Sequence, residues 1–180
     1  TLALLMSLVL STPPTVAAEP MAFIGAGFDM MVPSSWQVLE ERSRWTRVAL
    51  ADGAGRMSVW RADERRSLKR IRKKLARKAL KAGWELVERR FGKVDGNRAL
   101  VCLYDVPGAD EPVRQLFYFV NTARGFFIMQ FAAPISAFDY EKVRTAAASF
   151  RARDVSDPPR AAVSGHERRT AGTGSPDPQP

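Results

Sequence analysis

Ten lysines and arginines lie between Arg65 and Lys81, with no aspartate or glutamate among them. Such a cluster can hold phosphate, carboxylate or another anion, provided that one structural element presents the cations on a common side. At roughly 100° per residue, Leu68, Ile71, Leu75, Ala79 and Ala82 fall on one narrow face of a helix within Ser67–Trp84. Lys69, Arg70, Lys73, Lys74, Arg77 and Lys81 fan across the opposite face, and Gly83 offers a helix stop. No acid inside the helix stands four residues from any of these cations, so the like charges repel and cost helix stability.

The apolar stripe is just wide enough to dock on a sheet. A helix lying in a bilayer would need that same face, usually with Trp or Phe on it, so insertion of the stripe is rejected. A nucleic-acid grip would place base-stacking or base-reading groups among the cations, and no aromatic interleaves them. Nucleic acid is therefore not an expected partner. The cationic face is either a solvated surface that binds nothing or a dock for an acidic protein, an anionic lipid or a cell-wall polymer.

Other chemistry is sparse. Cys102, the sole cysteine, lies in the apolar run "ALVCLYDV" and reads as a small packed hydrophobe, with no disulfide partner. His166, the sole histidine, lies far along the chain in a Pro/Gly-rich stretch, which argues against a Cys-His nucleophile. "GAG" at Gly25–Gly27 lacks the third glycine of a dinucleotide loop. No GxSxG, HExxH, P-loop or paired Cys/His metal ligands occur, so neither a metal nor a cofactor is expected. Asp29 and Asp105 suit capping or rim roles. Trp36, Trp45, Trp60 and Trp84 suit the ends of a core better than a ligand cage.

The elements that would position the basic helix follow from composition and periodicity. The 180 residues are 46% apolar and 26% charged, ordinary globular usage for one domain with tails. The basic segment alone exceeds the net charge of +9, so the charge is local. "LALLMSLVL" (Leu2–Leu10), too short to span a bilayer, precedes "TVAAEP" with small residues placed for cleavage after Ala18. Residues 1–18 thus read as a signal peptide whose start looks clipped, giving an exported mature chain, periplasmic or secreted. No cysteine stands near the cleavage point to carry a lipid. Residues 153–180, rich in Pro, Gly, Ser and charge, read as a disordered tail.

Between them, residues 21–152 form one unit without internal repeats. "GFDMMVPSSW" opens with a strand ending at Pro33, and "WQVLEE" is a second extended piece. "RWTRVALADGAGRMSVWRA" is a hairpin turning at Asp52-Gly53 to Gly55. After the basic helix come a hairpin turning at Asp95-Gly96-Asn97 and a third joining "VRQLFYFVN" to "GFFIMQFAA". "SAFDYEKVRTAAASF" is a helix capped by Ser136 or Asp139. Leu116, Tyr118 and Val120 alternate with Phe117 and Phe119, and Phe126 and Ile128 alternate with Phe127, Met129 and Phe131. Both faces of these strands are apolar, so they should be central and covered on both sides. The hairpin around Met57 and Val59 alternates more cleanly and suits a more exposed position. The expected class is α+β: a mainly antiparallel sheet flanked by helices on both faces.

The order "FDMMVPSSW", hairpin, helix, "VDGNRAL", paired aromatic strands and a helix ending "AAASFR" resembles the PsbP-like/DcrB-like family. The similarity covers about Phe23 to Arg151, and its marks are Pro33, Trp36, Gly96 and Ser149-Phe150-Arg151. The resemblance implies an exported single-domain α/β/α sandwich sharing the fold of the Mog proteins. It also implies a non-enzymatic accessory or binding role. No motif of the photosystem branch is matched, so that role is not carried over. The competing class is an exported, hydrolase-like enzyme whose site does not show in sequence.

The export segment makes a direct prediction. N-terminal sequencing of the protein from its native cell should find the mature chain beginning at or near Glu19, outside the cytoplasm. A cytoplasmic product that retains Leu2–Leu10 would refute it.

Overall fold

The computed structural model describes residues 20–25, 27–42, 45–49, 54–62 and 65–154. The proposed export segment, the Asp52-Gly53 turn and the chain beyond 154, with His166, lie outside the described residues. Five strands come first: β1 (Pro20–Gly25), β2 (Phe28–Pro33), β3 (Gln37–Arg42), β4 (Trp45–Ala49) and β5 (Arg56–Ala62). Helix α1 (Leu68–Lys81) follows, then β6 (Glu85–Val94), β7 (Asn97–Val106), β8 (Val113–Thr122) and β9 (Gly125–Pro134). A 3-10 turn at Ile135–Ala137 leads into α2 (Tyr140–Ser149) and the short β10 (Arg151–Ala152).

The class is α+β, with a mainly antiparallel sheet. Seven strands pair in the order β3-β4-β5-β9-β8-β7-β6, and β1, β2 and β10 form a separate three-stranded sheet. The β6–β7 turn explains one register. Asp95 and Gly96 have φ of 51° and 71°, the left-handed pair that a two-residue hairpin turn requires. At the β8–β9 turn the Thr122 hydroxyl accepts from the Arg124 amide and donates to the Gly125 carbonyl, both at 3.0 Å.

Period-two alternation sorts the central strands into two cores. Leu116, Tyr118, Val120, Phe127, Met129 and Phe131 join one cluster, while Phe117, Phe119, Phe126, Leu100, Cys102 and Tyr104 join the other. Helix α1 covers the second cluster with Leu68 and Ala79, and Ile71 and Leu75 pack partly buried beside them. The first cluster is covered by Phe23, Phe28, Met30 and Val32 of the small sheet, with Val143, Ala146 and Ala147 of α2. That cover is a mixed layer in which α2 packs against β2, where the sequence suggested a helix alone. Strand β1, not anticipated, and the two-residue β10 are what turn β2 into a small sheet.

One expectation is corrected outright. Met57 and Val59 are fully buried, because β5 sits between β4 and β9 inside the sheet and its inner face meets the first cluster. Clean alternation there reflects polar residues on the other face, and Ser58 is itself buried.

The residues that carry the family resemblance are structural. Trp36 closes a turn by donating its amide to the Pro33 carbonyl at 2.9 Å, and its ring packs on Phe131. The Ser149 hydroxyl accepts from the Met31 amide at 2.7 Å, which ties α2 to β2. Phe150 is fully buried against Phe28 and Phe127. Arg151 and the Ala152 amide both reach the Asp95 carboxylate at the β6–β7 turn. Beyond the unit as first bounded, Arg153 pairs with Asp29 at 2.9 Å and Asp154 with Arg124 at 3.0 Å.

Phe119 is buried in β8 between Phe117 and Phe126, its paired strands lying on both sides. Phe119→Ala should therefore lower unfolding free energy by roughly 3–5 kcal/mol in denaturant titrations. A loss well under about 1 kcal/mol would contradict a central, doubly covered strand.

Candidate functional site

Helix α1 forms where the sequence places it, and its ends are well defined. Ser67 is the N-cap, its hydroxyl accepting from the Arg70 amide at 3.3 Å. At the other end Gly83 takes φ of 69°, and the Trp84 amide returns to the Ala79 carbonyl at 2.9 Å. A Cβ at Gly83 would meet nothing within 4 Å, so glycine is needed there for its backbone conformation. Ala82, assigned to the apolar stripe, is the C-cap residue and is exposed.

The charge pattern opposes the helix. No acid occupies the first turn, which instead carries Lys69 and Arg70 at the positive end of the helix dipole. Only Lys78 and Lys81, in the last turn, complement the dipole. Docking must therefore sustain the helix, through Leu68, Ile71, Leu75 and Ala79.

The ten cations divide by what they touch. Arg65 donates to the Thr122 carbonyl at 3.2 Å. The Arg66 backbone is bracketed by the Asn121 amide group, at 3.1 and 2.7 Å, and its guanidinium lies 5.9 Å from the Phe126 ring. Arg72 lies over Phe91 at 5.8 Å and Lys78 over Trp84 at 5.4 Å. The six that remain are Lys69, Arg70, Lys73, Lys74, Arg77 and Lys81, all exposed. Among the described residues none of the six has a side-chain hydrogen bond or an acidic partner. They line two shallow depressions, one at each end of α1.

A second feature was not legible in sequence. Trp84, Phe117, Phe119 and Phe126 form a ladder of nearly parallel rings, at centroid spacings of 6.4, 5.9 and 6.4 Å and tilts of 9°, 11° and 15°. Lys78 caps one end of it and Arg66 the other. An open groove of about 410 Å³ runs along the ladder, walled by Leu75, Trp60 and Ile128. Phe117 and Phe119 were assigned to burial alone. The step from Phe119 to Phe126 needs the register of β8 on β9, which no local pattern reports.

On the opposite side a cavity of about 230 Å³ lies between Trp36, Phe131, Phe138 and Val143, with Arg56, Asp139 and Lys142 at its edge. Asp139 is committed as the N-cap of α2. Its carboxylate accepts from the Lys142 amide at 3.0 Å, which helps hold its pKa below the ordinary range. The buried Trp36 indole N–H has no hydrogen-bond partner. Asp29 and Asp105 cap no helix. Asp29 pairs with Arg153, and Asp105 takes both arms of Arg114 at 2.8 Å, which lowers its carboxyl pKa.

The other perturbed groups are core groups. Burial pushes the Cys102 thiol up to about 11 and the Tyr118 hydroxyl up to about 12. Among the described residues no cluster of His, Cys, Asp and Glu could hold a metal ion. Gly27 of the "GAG" stretch follows β1 and precedes β2, so it belongs to a strand connection with no helix after it. Of the four tryptophans, Trp36 is buried and Trp60 and Trp84 half-buried, while the Trp45 side chain lies outside the described residues.

The chain matches no protein-family model and no curated protein. Its fold does match solved structures. The solution structure of cyanobacterial PsbP (CyanoP) from Synechocystis sp. PCC 6803 aligns with a TM-score of 0.59 at 14% identity, over 80% of this chain and 98% of that one. The fold is PsbP-like. A crystal structure from Bacteroides thetaiotaomicron VPI-5482 aligns with a TM-score of 0.56 at 18% identity, over 74% of this chain. This chain spans about half of that protein, 48% of its length. Identity at this level carries the PsbP-like architecture and no residue roles. No helix among the described residues is long and apolar enough to cross a membrane.

The setting of Cys102 makes a prediction for a thiol reagent at pH 8. The native protein should label only as fast as the core opens, and denaturant should release full reactivity at once. Immediate stoichiometric labelling of folded protein would place the thiol at the surface.

Proposed function

We propose that this PsbP-like chain is an exported, non-enzymatic accessory or binding protein of the bacterial cell envelope, docking through the outer face of α1 on an anionic surface. Within the fold it belongs with the DcrB-like exported proteins, an α/β/α sandwich with α1 as one outer layer and the α2-bearing layer as the other. The observation that carries this reading is the set of six outward cations with no acidic partner among the described residues. Candidate anions are lipid headgroups, a cell-wall polymer or an acidic protein; nucleic acid fits less well, since the ladder's rings lie on the docked side of α1.

Each Lys or Arg close to an anionic membrane surface is worth about 1 kcal/mol, fading over a Debye length of about 10 Å at 0.1 M salt. Six on one face give useful binding that salt weakens. The alternative, a hydrolase-like enzyme, would have to use the cavity beside Trp36. There Asp139, its lining carboxylate, is already engaged as a helix cap, and among the described residues the lining Ser35 hydroxyl is hydrogen-bonded to no base.

The test is co-sedimentation with anionic and neutral vesicles, and retention on an immobilised polyanion, at low and moderate salt. A variant carrying Lys69→Gln, Lys73→Gln, Arg77→Gln and Lys81→Gln should fold normally, because the apolar stripe is untouched. At low salt it should bind anionic surfaces up to about a thousandfold more weakly, as four charges at about 1 kcal/mol each imply. Equal binding by variant and wild type would leave α1 a merely solvated helix.

A further inference from the structure

The outward face of α1 is not purely cationic. Leu80 is 84% exposed, the most exposed large apolar side chain among the described residues. It lies four residues after Ala76, seven after Lys73 and eleven after Lys69, which places it on the solvent side, away from the stripe of Leu68, Ile71 and Leu75. The docked stripe therefore makes no claim on it.

Leu80 does not stand alone. The chain turns back through Gly83, with the Trp84 amide bonded to the Ala79 carbonyl, and enters β6. Two more exposed aliphatic residues stand there, Leu86 at 43% and Val87 at 47%. They coincide with the β-bulge between Leu86 and Glu88, which interrupts the edge strand at this point. The C-terminal end of α1 and the start of β6, joined by a short turn through Gly83, thus carry three exposed aliphatic residues within eight positions of chain. The depression formed by Lys74, Arg77, Lys78 and Lys81 lies at that same end. Glu85, between Leu80 and Leu86 in the chain, is an exposed carboxylate.

We infer that this end is a membrane-seating tip: Leu80, the exposed apolar residue among the cations of α1, enters the headgroup region of an anionic bilayer while Lys74, Arg77 and Lys81 hold the lipid phosphates around it. The inference rests on the cationic-face reading above and names its source of anions. A bilayer offers both halves of what the tip presents, anions at the surface and an apolar layer about 5–10 Å below it. A hydrophilic polyanion satisfies the cations and gives the leucine nothing. Because the apolar stripe of α1 is already buried against the sheet, only the tip enters, and the seating is shallow.

The experiment uses the whole 180-residue chain and three probes: phosphatidylglycerol–phosphatidylcholine vesicles, pure phosphatidylcholine vesicles and soluble polyglutamate. The neutral vesicles also register any contribution from the apolar stretch Leu2–Leu10, which every variant shares. Leu80→Ala should weaken binding to the anionic vesicles by about tenfold, with the loss persisting at moderate salt, and leave polyglutamate binding unchanged. Leu80→Cys carrying an environment-sensitive fluorophore should shift its emission to the blue on anionic vesicles only, Cys102 being buried and silent. If Leu80→Ala binds anionic vesicles like wild type while the four-Gln variant does not, docking is by charge alone; the tip is overturned and the cationic face stands. Binding of wild type to polyglutamate but not to vesicles likewise overturns the tip and points to an acidic protein or polymer. Binding to neither probe overturns both readings.

Discussion

Neither face of β7, β8 and β9 can be left in water, and the rest of the molecule is arranged around that fact. Phe117, Phe119 and Phe126 stand on one side, with Tyr118, Phe127, Met129 and Phe131 on the other, all buried. A large apolar side chain gains about 1.5–3 kcal/mol on full burial, so exposing either face would forfeit an amount comparable to a domain's whole stability margin. Two covers are therefore obligatory. The small sheet with α2 supplies one, held by the Ser149 latch and by Phe150 between Phe28 and Phe127. Helix α1 supplies the other.

That obligation explains how α1 tolerates its own charges. An isolated helix with lysines and arginines repeated at four-residue spacing, and cations in its first turn, would be weak. Here the sheet needs the cover, and Leu68, Ile71, Leu75 and Ala79 meet that need on a narrow stripe. The outward positions are then free of any packing duty. Stability alone would favour glutamates among them to pair with the lysines, and none is present. The composition of that face is a choice the fold did not require, which is the physical reason to look for function there.

Legibility followed the range of the interaction. Short-range patterns were readable: the period-two runs of β8 and β9, the Asp95-Gly96 turn with both φ positive, the Ser67 start and Gly83 stop of α1, and the six outward cations. The helix ending in Ser149 was readable too, although its cap needed the structure to choose Asp139 over Ser136. What was misread or missed depends on neighbours distant in sequence. Met57 and Val59 looked like an exposed hairpin because nothing local says that β9 pairs beside β5. Strand β1 needs β2, and the ring ladder draws on β8, β9 and the connection between α1 and β6. Leu80 was visible in the sequence all along. Its 140° offset from the Leu75 direction, at roughly 100° per residue, places it with the cations, whose charges dominate the pattern of that face.

The distribution of ion pairs sharpens the contrast between α1 and the rest of the chain. Elsewhere several cations find acids: Arg90 with Glu88, Arg114 with Asp105, Arg124 with Asp154, Arg144 with Glu141, Lys142 with Asp139, Arg151 with Asp95 and Arg153 with Asp29. Several of these join segments far apart in sequence, so pairing is available to this chain where architecture calls for it. Exposed pairs of this kind contribute little stability each, so going without them costs α1 only a small amount that docking covers. Their absence also has an electrostatic consequence: the positive charge of six neighbouring side chains, none paired with an acid among the described residues, sums over one face. The titratable groups with strong shifts, Cys102 and Tyr118, owe them to burial in the two cores and converge on no cavity. Those two shifts therefore arise inside the molecule, whereas the cations of α1 that pair with no acid among the described residues lie on its surface.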